Sequence, residues 1–185
     1  MGNSEPRLRP LEREQLNDEQ IEILQRFGDF EQLHNVFKTL ARHAKLLKRW
    51  LPFANHVLFK STLAPRDREI LILRVGWLCR AEYEWSQHVG IGRTAGLTDE
   101  EIERIAAGAG APGWSDRERT LLRAADELHA DACIGNTTWG ELAAHYDTEQ
   151  LLDLLFTVGQ YHLVSMALNT LGVQLEPGAP RFPKR

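Results

Sequence analysis

Residues 65–88 constrain the fold of this chain more than any other stretch. Ala64-Pro65 introduces a strongly helical run, Arg66-Asp67-Arg68-Glu69-Ile70-Leu71-Ile72-Leu73-Arg74, whose apolar residues continue to Leu78. Proline is favoured in the first turn of a helix, where its missing N–H costs nothing. Arg80-Ala81 then reads as a junction before a second helix, which holds Glu84-Trp85-Ser86-Gln87-His88. Residues four apart lie one turn along a helix on one face, so Glu84 and His88 can meet. A long apolar helix followed by a second helix needs further helices to cover it. Elsewhere the chain shows no hairpin signal and no convincing strand alternation. The predicted fold class is all-α.

The remaining elements follow from caps and stripes. Asn17-Asp18-Glu19-Gln20 predicts a helix start, with Ile21, Ile23, Leu24 and Phe27 as its apolar stripe. A second helix is expected from about His34 to Leu51, with Pro52 breaking it or starting another, and a short helix from Asn55 to Ser61. Gly96-Leu97-Thr98-Asp99-Glu100-Glu101 joins a C-cap glycine to an N-cap threonine and an acidic first turn. Gly108 to Ser115 is the clearest loop, and Ser115-Asp116-Arg117-Glu118 is a capping box. Thr137-Thr138-Trp139 starts another helix. Thr148 is expected to cap a final one, Glu149 to about Leu171, ended by Gly172. The organisation read from this is an extended arm over 1–15, a single all-α domain over 16–175 and an irregular tail over 176–185. Asp67-Arg68-Glu69 recurs as Asp116-Arg117-Glu118, an echo that two similar helical halves, or simply two good helix starts, would explain.

Bulk properties exclude several classes. A chain of 185 residues with 43% hydrophobic and 26% charged residues is ordinary for a soluble globular protein. Its net charge of −4 gives no reason to expect nucleic-acid binding. No apolar run reaches the roughly 20 residues of a membrane span, and the N-terminus lacks a secretory apolar core. Cys79 and Cys133 are far apart and form no Cys-x-x-Cys, so a reducing cytoplasm is the expected location and each cysteine reads as a small buried hydrophobe. The stretch between Glu31 and Asp67 is basic, with Lys38, Arg42, Lys45, Lys48 and Arg49. It could steer an anion, but a solvated helix face is the favoured reading.

Glu84 and His88 form a proton-transfer pair in an apolar neighbourhood, since a carboxylate can orient an imidazole that titrates near neutral pH. Read from spacing alone, catalysis and structure stand even. Glu69 reads as a helix-start acid paired with Arg66 or Arg74. His162 reads as a core histidine with one satisfied nitrogen. His34, His43 and His56 share no ligand spacing, and His129 with Asp131 is poor evidence for a metal, so no metal site is expected.

Taken together, Pro65-Arg66-Asp67-Arg68-Glu69 through Arg74, followed by Glu82-Tyr83-Glu84-Trp85-Ser86-Gln87-His88, resemble the carboxymuconolactone decarboxylase superfamily, which includes the alkylhydroperoxidase D-like proteins. The resemblance covers roughly residues 35–175 and implies a helical bundle of the alkylhydroperoxidase D-like type. Peroxidase-like members carry a Cys-x-x-Cys four residues before a histidine and a glutamate nineteen before it. Here Glu69 stands nineteen before His88, but Ala81 and Glu84 occupy the two cysteine positions. The resemblance therefore implies acid–base chemistry on a small, anionic organic acid or lactone, without metal or organic cofactor. It gives catalytic roles to His88, Glu84 and Glu69, with Tyr83 and Trp85 as apolar walls of the substrate site. It also implies a homo-oligomer, a trimer or hexamer, in which residues 38–49 and the last helix are possible contacts. The alternatives are a thiol-dependent peroxidase using Cys79 or Cys133, and a non-catalytic ligand-binding oligomer.

Overall fold

The computed structural model describes residues 5–183, and its elements are helical throughout; among the described residues there is no strand. The helices are α1 (Asp18–Leu24), α2 (Asn35–Leu40), α3 (Ala44–Asn55), α4 (Pro65–Leu78), α5 (Glu82–Thr94), α6 (Asp99–Ala107), α7 (Asp116–Asp131), α8 (Asn136–Ala143) and α9 (Thr148–Leu171). Helix α4 sits at the centre. Every residue from Asp67 to Gly76 is buried on it, and α5, α7, α9 and α6 pack around it. A helix buried on all sides has no polar face, which is why its sequence lacks the usual apolar stripe.

Ionic side chains inside such a helix must find partners. Arg66 pairs with Glu101 at 2.6 Å and Glu118 at 2.7 Å. Asp67 accepts from the Tyr146 hydroxyl at 2.9 Å and lies 3.4 Å from Arg117. Arg74 meets Asp126 at 2.6 Å and donates to the carbonyls of Ile105 and Ala106, closing the end of α6. The second Asp-Arg-Glu sequence thus meets the start of α4 across the α4–α7 contact, Glu118 with Arg66 and Arg117 with Asp67.

The turn between α4 and α5 sets the site. Arg80 takes a left-handed φ of 53°. The Ala81 N–H donates to the Gly76 carbonyl at 2.8 Å and the Arg80 N–H to that of Trp77 at 3.0 Å, the paired bonds of a Schellman turn. Helix α5 then returns antiparallel along α4. The two approach closely at Gly76, where a Cβ would lie 3.4 Å from the Trp85 nitrogen.

Several boundaries differ from the sequence reading. The helix expected over His34 to Leu51 is divided by a 3-10 turn at Ala41–His43, where Gln20 donates to the Ala41 carbonyl at 3.0 Å. Pro52 breaks nothing: α3 runs through it on an exposed face, then loosens into a π-turn over His56–Lys60. Asp147, not Thr148, caps the last helix, with Gln150 completing a capping box. Of the α1 stripe, Ile23 and Leu24 are buried while Ile21 is exposed.

The arm expected over 1–15 is described from residue 5 onward, and residues 1–4 of that arm lie outside the described residues. Its backbone N–H groups at Arg7 and Leu8 donate to the Leu171 carbonyl, and Leu11 is buried with Ile23, Phe30 and Leu47 in a small second core. Residues 176–183 of the tail form no helix or strand; residues 184–185 lie outside the described residues. Phe182 packs edge-on against Trp77. Helix α9 is long and apolar enough to cross a membrane by length and composition, but half of that window is buried inside the bundle.

Replacing Asp67 by alanine leaves the Tyr146 hydroxyl buried without its acceptor. Urea denaturation should show a loss of about 1–3 kcal/mol, whereas Arg117→Ala, on a half-exposed partner, should change stability by less than about 1 kcal/mol.

Candidate functional site

Helix α4 presents Glu69 and helix α5 presents His88 and Glu84 to one buried point. The His88 Nδ1–H donates to Glu69 Oε2 at 2.7 Å, and His88 Nε2 lies 3.2 Å from Glu84 Oε1. On its far side Glu69 accepts from Arg68 Nε at 3.1 Å. The result is a line of alternating charge, Arg68–Glu69–His88–Glu84, buried throughout. Glu69 is 0% exposed, so its partners are fixed rather than shared with solvent. The sequence expectation that Glu69 pairs with Arg66 or Arg74 is corrected: those arginines serve α6 and α7, and Glu69 orients the imidazole.

Burial works against a charged His88, but the two carboxylates outweigh it and push its pKa up to about 9. At neutral pH the ring is therefore an imidazolium, a proton donor at both nitrogens. Tyr161 stands edge-on to the ring, with centroids 4.9 Å apart, and its own ionisation is driven well upward by burial and by the charges of Glu84 and Glu69.

His88 and Glu84 open into a cavity of about 350 Å³ between α2, α3, α5 and α9. One wall is apolar, with Phe27, Phe37, Leu51, Leu58, Phe59 and Ile91. The other carries polar groups, and two of these are buried without a hydrogen-bond partner: the Trp50 indole nitrogen and the Gln160 side-chain oxygen. Native interiors seldom leave such groups unpaired.

Tyr83 lines this cavity, but its hydroxyl is committed: it donates to Glu176 at 2.7 Å and accepts from the Val36 N–H at 3.2 Å. Trp85 does not line it. Its ring packs with Trp77 and Phe182, so the expectation of a second aromatic wall there is corrected: one residue on from Glu84 turns the side chain about a quarter of the way round the helix. Glu176 was missed in the sequence because it lies in a tail without periodicity. It ties that tail to the cavity rim, accepting from the Asn35 N–H at 2.8 Å and from Gln87 at 2.7 Å. Trp50, Gln160 and Tyr161 were missed because they come from helices distant in sequence.

The cysteines are not at this site. Cys133 is exposed, contrary to the expectation of burial, and Cys79 is only half-buried, 3.9 Å from His129, with burial pushing its thiol pKa up.

Residues 44–127 match the sequence model of the Carboxymuconolactone decarboxylase family. No curated protein sequence matches the chain. Among solved structures, a peroxidase-related protein from Ralstonia eutropha superposes with a TM-score of 0.80 at 19% identity, covering 93% of each chain. Another from Silicibacter gives 0.74 at 17% identity, covering 88% of this chain and 86% of its own. The debrominase Bmp8, solved with 2,3,4-tribromopyrrole, gives 0.73 at 16% identity, covering 92% and 91%. At these identities the likeness establishes the fold, the alkylhydroperoxidase D-like bundle.

The raised pKa of His88 has a consequence for stability. Its protonated form is favoured in the folded state, so this contribution is fully present below the ring's ordinary value of 6.5 and is lost as pH rises toward about 9. The wild type should lose on the order of a few kcal/mol relative to His88→Gln across that window, measured by urea denaturation at stepped pH.

Proposed function

We propose that this chain, whose residues 44–127 match the carboxymuconolactone decarboxylase family model and which lacks the paired cysteines, is an acid–base enzyme. It acts on a small anionic organic acid or lactone and needs no organic cofactor. One observation carries this reading: a buried imidazolium, held between two carboxylates, faces a cavity that also holds unpaired polar groups.

The assigned roles follow from position. His88 supplies the proton, from the Nε2 side that opens to the cavity. Glu69, fixed by Arg68, holds Nδ1 and keeps the ring charged and oriented. Glu84 shares the Nε2 proton and is the group placed to return it. In a decarboxylation the carbon–carboxylate bond breaks and its electron pair enters the conjugated carbonyl or lactone system. The His88 proton then quenches the resulting carbanion, and His88 is reprotonated through Glu84. A positive ring beside an otherwise apolar wall favours an anion and stabilises developing negative charge. Trp50 and Gln160 are suited to hold the substrate's polar end, as donor and acceptor respectively.

A thiol peroxidase is disfavoured by placement, since neither cysteine lines the cavity and neither has a second thiol at hand. The two unpaired cysteines suit the cytoplasmic location we assign. The chain also self-associates in this reading, as a trimer or hexamer. Supporting this, α9 leaves Leu152, Phe156, Leu163 and Met166 exposed along an apolar face.

The test is a turnover screen with carboxymuconolactone-type and aromatic-catabolite acids, beside a dithiol-coupled hydroperoxide assay. Acid or lactone turnover should fall at least about 100-fold in His88→Ala and Glu84→Gln, and should survive iodoacetamide treatment of the cysteines. Peroxide turnover that persists in His88→Ala and dies on alkylation would overturn the assignment. Sedimentation velocity checks the assembly: a monomer at assay concentration contradicts that part of the reading.

A further inference from the structure

Three helices bring one thiol and two imidazoles together, and none of the three residues lines the His88 cavity. Cys79 closes the C-terminal end of α4, His129 lies in the last turn of α7, and His162 lies midway along α9. Their Sγ, Nδ1 and Nε2 atoms all lie within 4.8 Å of one another. We propose that Cys79, His129 and His162 form a binding site for a thiolate- and imidazole-preferring divalent cation, zinc(II) foremost.

The ligand set is the first argument. One thiolate and two imidazoles match the tetrahedral preference of zinc and leave a fourth position to water or a small anion. Distance is the second. Around a tetrahedral zinc, with Zn–N near 2.0–2.1 Å and Zn–S near 2.3 Å, two nitrogens lie about 3.3 Å apart and a nitrogen and sulfur about 3.6 Å. Here His129 Nδ1 and His162 Nε2 are 2.9 Å apart, and Cys79 Sγ and His129 Nδ1 are 3.9 Å apart. For these two pairs, closing onto an ion takes shifts of about half an ångström; the third pair lies within 4.8 Å, and His129 is exposed and has room to turn.

The third argument is the tautomer. The His162 Nδ1–H donates to the Val158 carbonyl at 2.8 Å, which leaves the Nε2 lone pair facing the cluster. A carbonyl acceptor on the remote nitrogen is how proteins commonly orient a metal-binding histidine. Asn169, further along α9, donates to the Cys79 carbonyl at 2.8 Å and fixes the cysteine backbone against the same helix. Without metal, the His129 Nδ1–H donates to His162 Nε2. A cation takes the place of that hydrogen, the His129 proton moves through solvent to Nε2 at the exposed side so that the ring stays neutral, and the Cys79 thiol proton leaves. One proton is thus released per ion bound.

Cobalt(II), followed by zinc(II), titrated into the full-length Cys133→Ser chain tests this. The expected result is one cobalt per chain with thiolate-to-cobalt charge-transfer absorption and tetrahedral ligand-field bands, displaced by zinc with release of one proton. Cys79→Ser should abolish the charge-transfer band. His129→Gln, a change at an exposed side chain, should weaken binding by at least about tenfold while leaving the circular dichroism spectrum unchanged, which keeps the test valid if Cys79→Ser fails to fold. Absence of a cobalt–thiolate band, or binding that His129→Gln leaves unchanged, would overturn the site and leave only a hydrogen-bonded histidine pair.

Discussion

Burying Asp67, Arg68, Glu69 and Arg74 on one enclosed helix is possible only because each meets a partner drawn from its surroundings. An isolated buried charge is far more costly than the whole stability of an ordinary domain can absorb. Helix α4 therefore dictates where its neighbours stand. Arg66 requires the acidic starts of α6 and α7, Asp67 requires Tyr146, and Arg74 requires Asp126 and the open carbonyls of α6. Glu69 requires a cation from α5, and that requirement creates the site. Its second cationic partner, Arg68, comes from the same turn, and Glu84 balances the further positive charge, so the four groups form one neutral line ending at the cavity.

Such a line has a chemical result as well as a structural one. Because Glu69 is wholly enclosed, it transmits its charge to His88 without solvent between them, and the ring is held protonated well above its ordinary range. Glu84, on the cavity side, gives the same proton a second acceptor. A charged donor beside a mostly apolar wall is the feature on which the proposed anionic substrate rests, whereas the cysteines lie elsewhere.

Much of this was legible in the sequence and some was not, for separable reasons. The caps at Asn17, Thr98 and Ser115, the loop after Gly108 and the i,i+4 meeting of Glu84 with His88 are local, and local chemistry is written in consecutive residues. Family resemblance put Glu69 among the candidate site residues, but its pairing with His88 was not legible, because nineteen residues and a turn separate them. Trp85 misled because an aromatic beside a candidate site carboxylate invites the reading of a pocket wall, while helical rotation sends it to Trp77 and Phe182. Pro52 misled because a proline near the end of a helix, on an exposed face, costs one backbone hydrogen bond without ending the helix, and α3 continues through it to Asn55. Glu176 and the Cys79–His129–His162 cluster carry no periodic signal; only the tertiary fold brings them into place.

The account rests on His88 being an imidazolium held between two carboxylates. Nitrogen-15 NMR of the labelled histidine rings at pH 7.5 addresses this directly. It should give, for the resonances absent in His88→Gln, two protonated ring nitrogens, with a titration midpoint near pH 9. A neutral ring at pH 7.5, with one unprotonated nitrogen and a midpoint near 6.5, would contradict the proton-donor role from which the proposed chemistry proceeds.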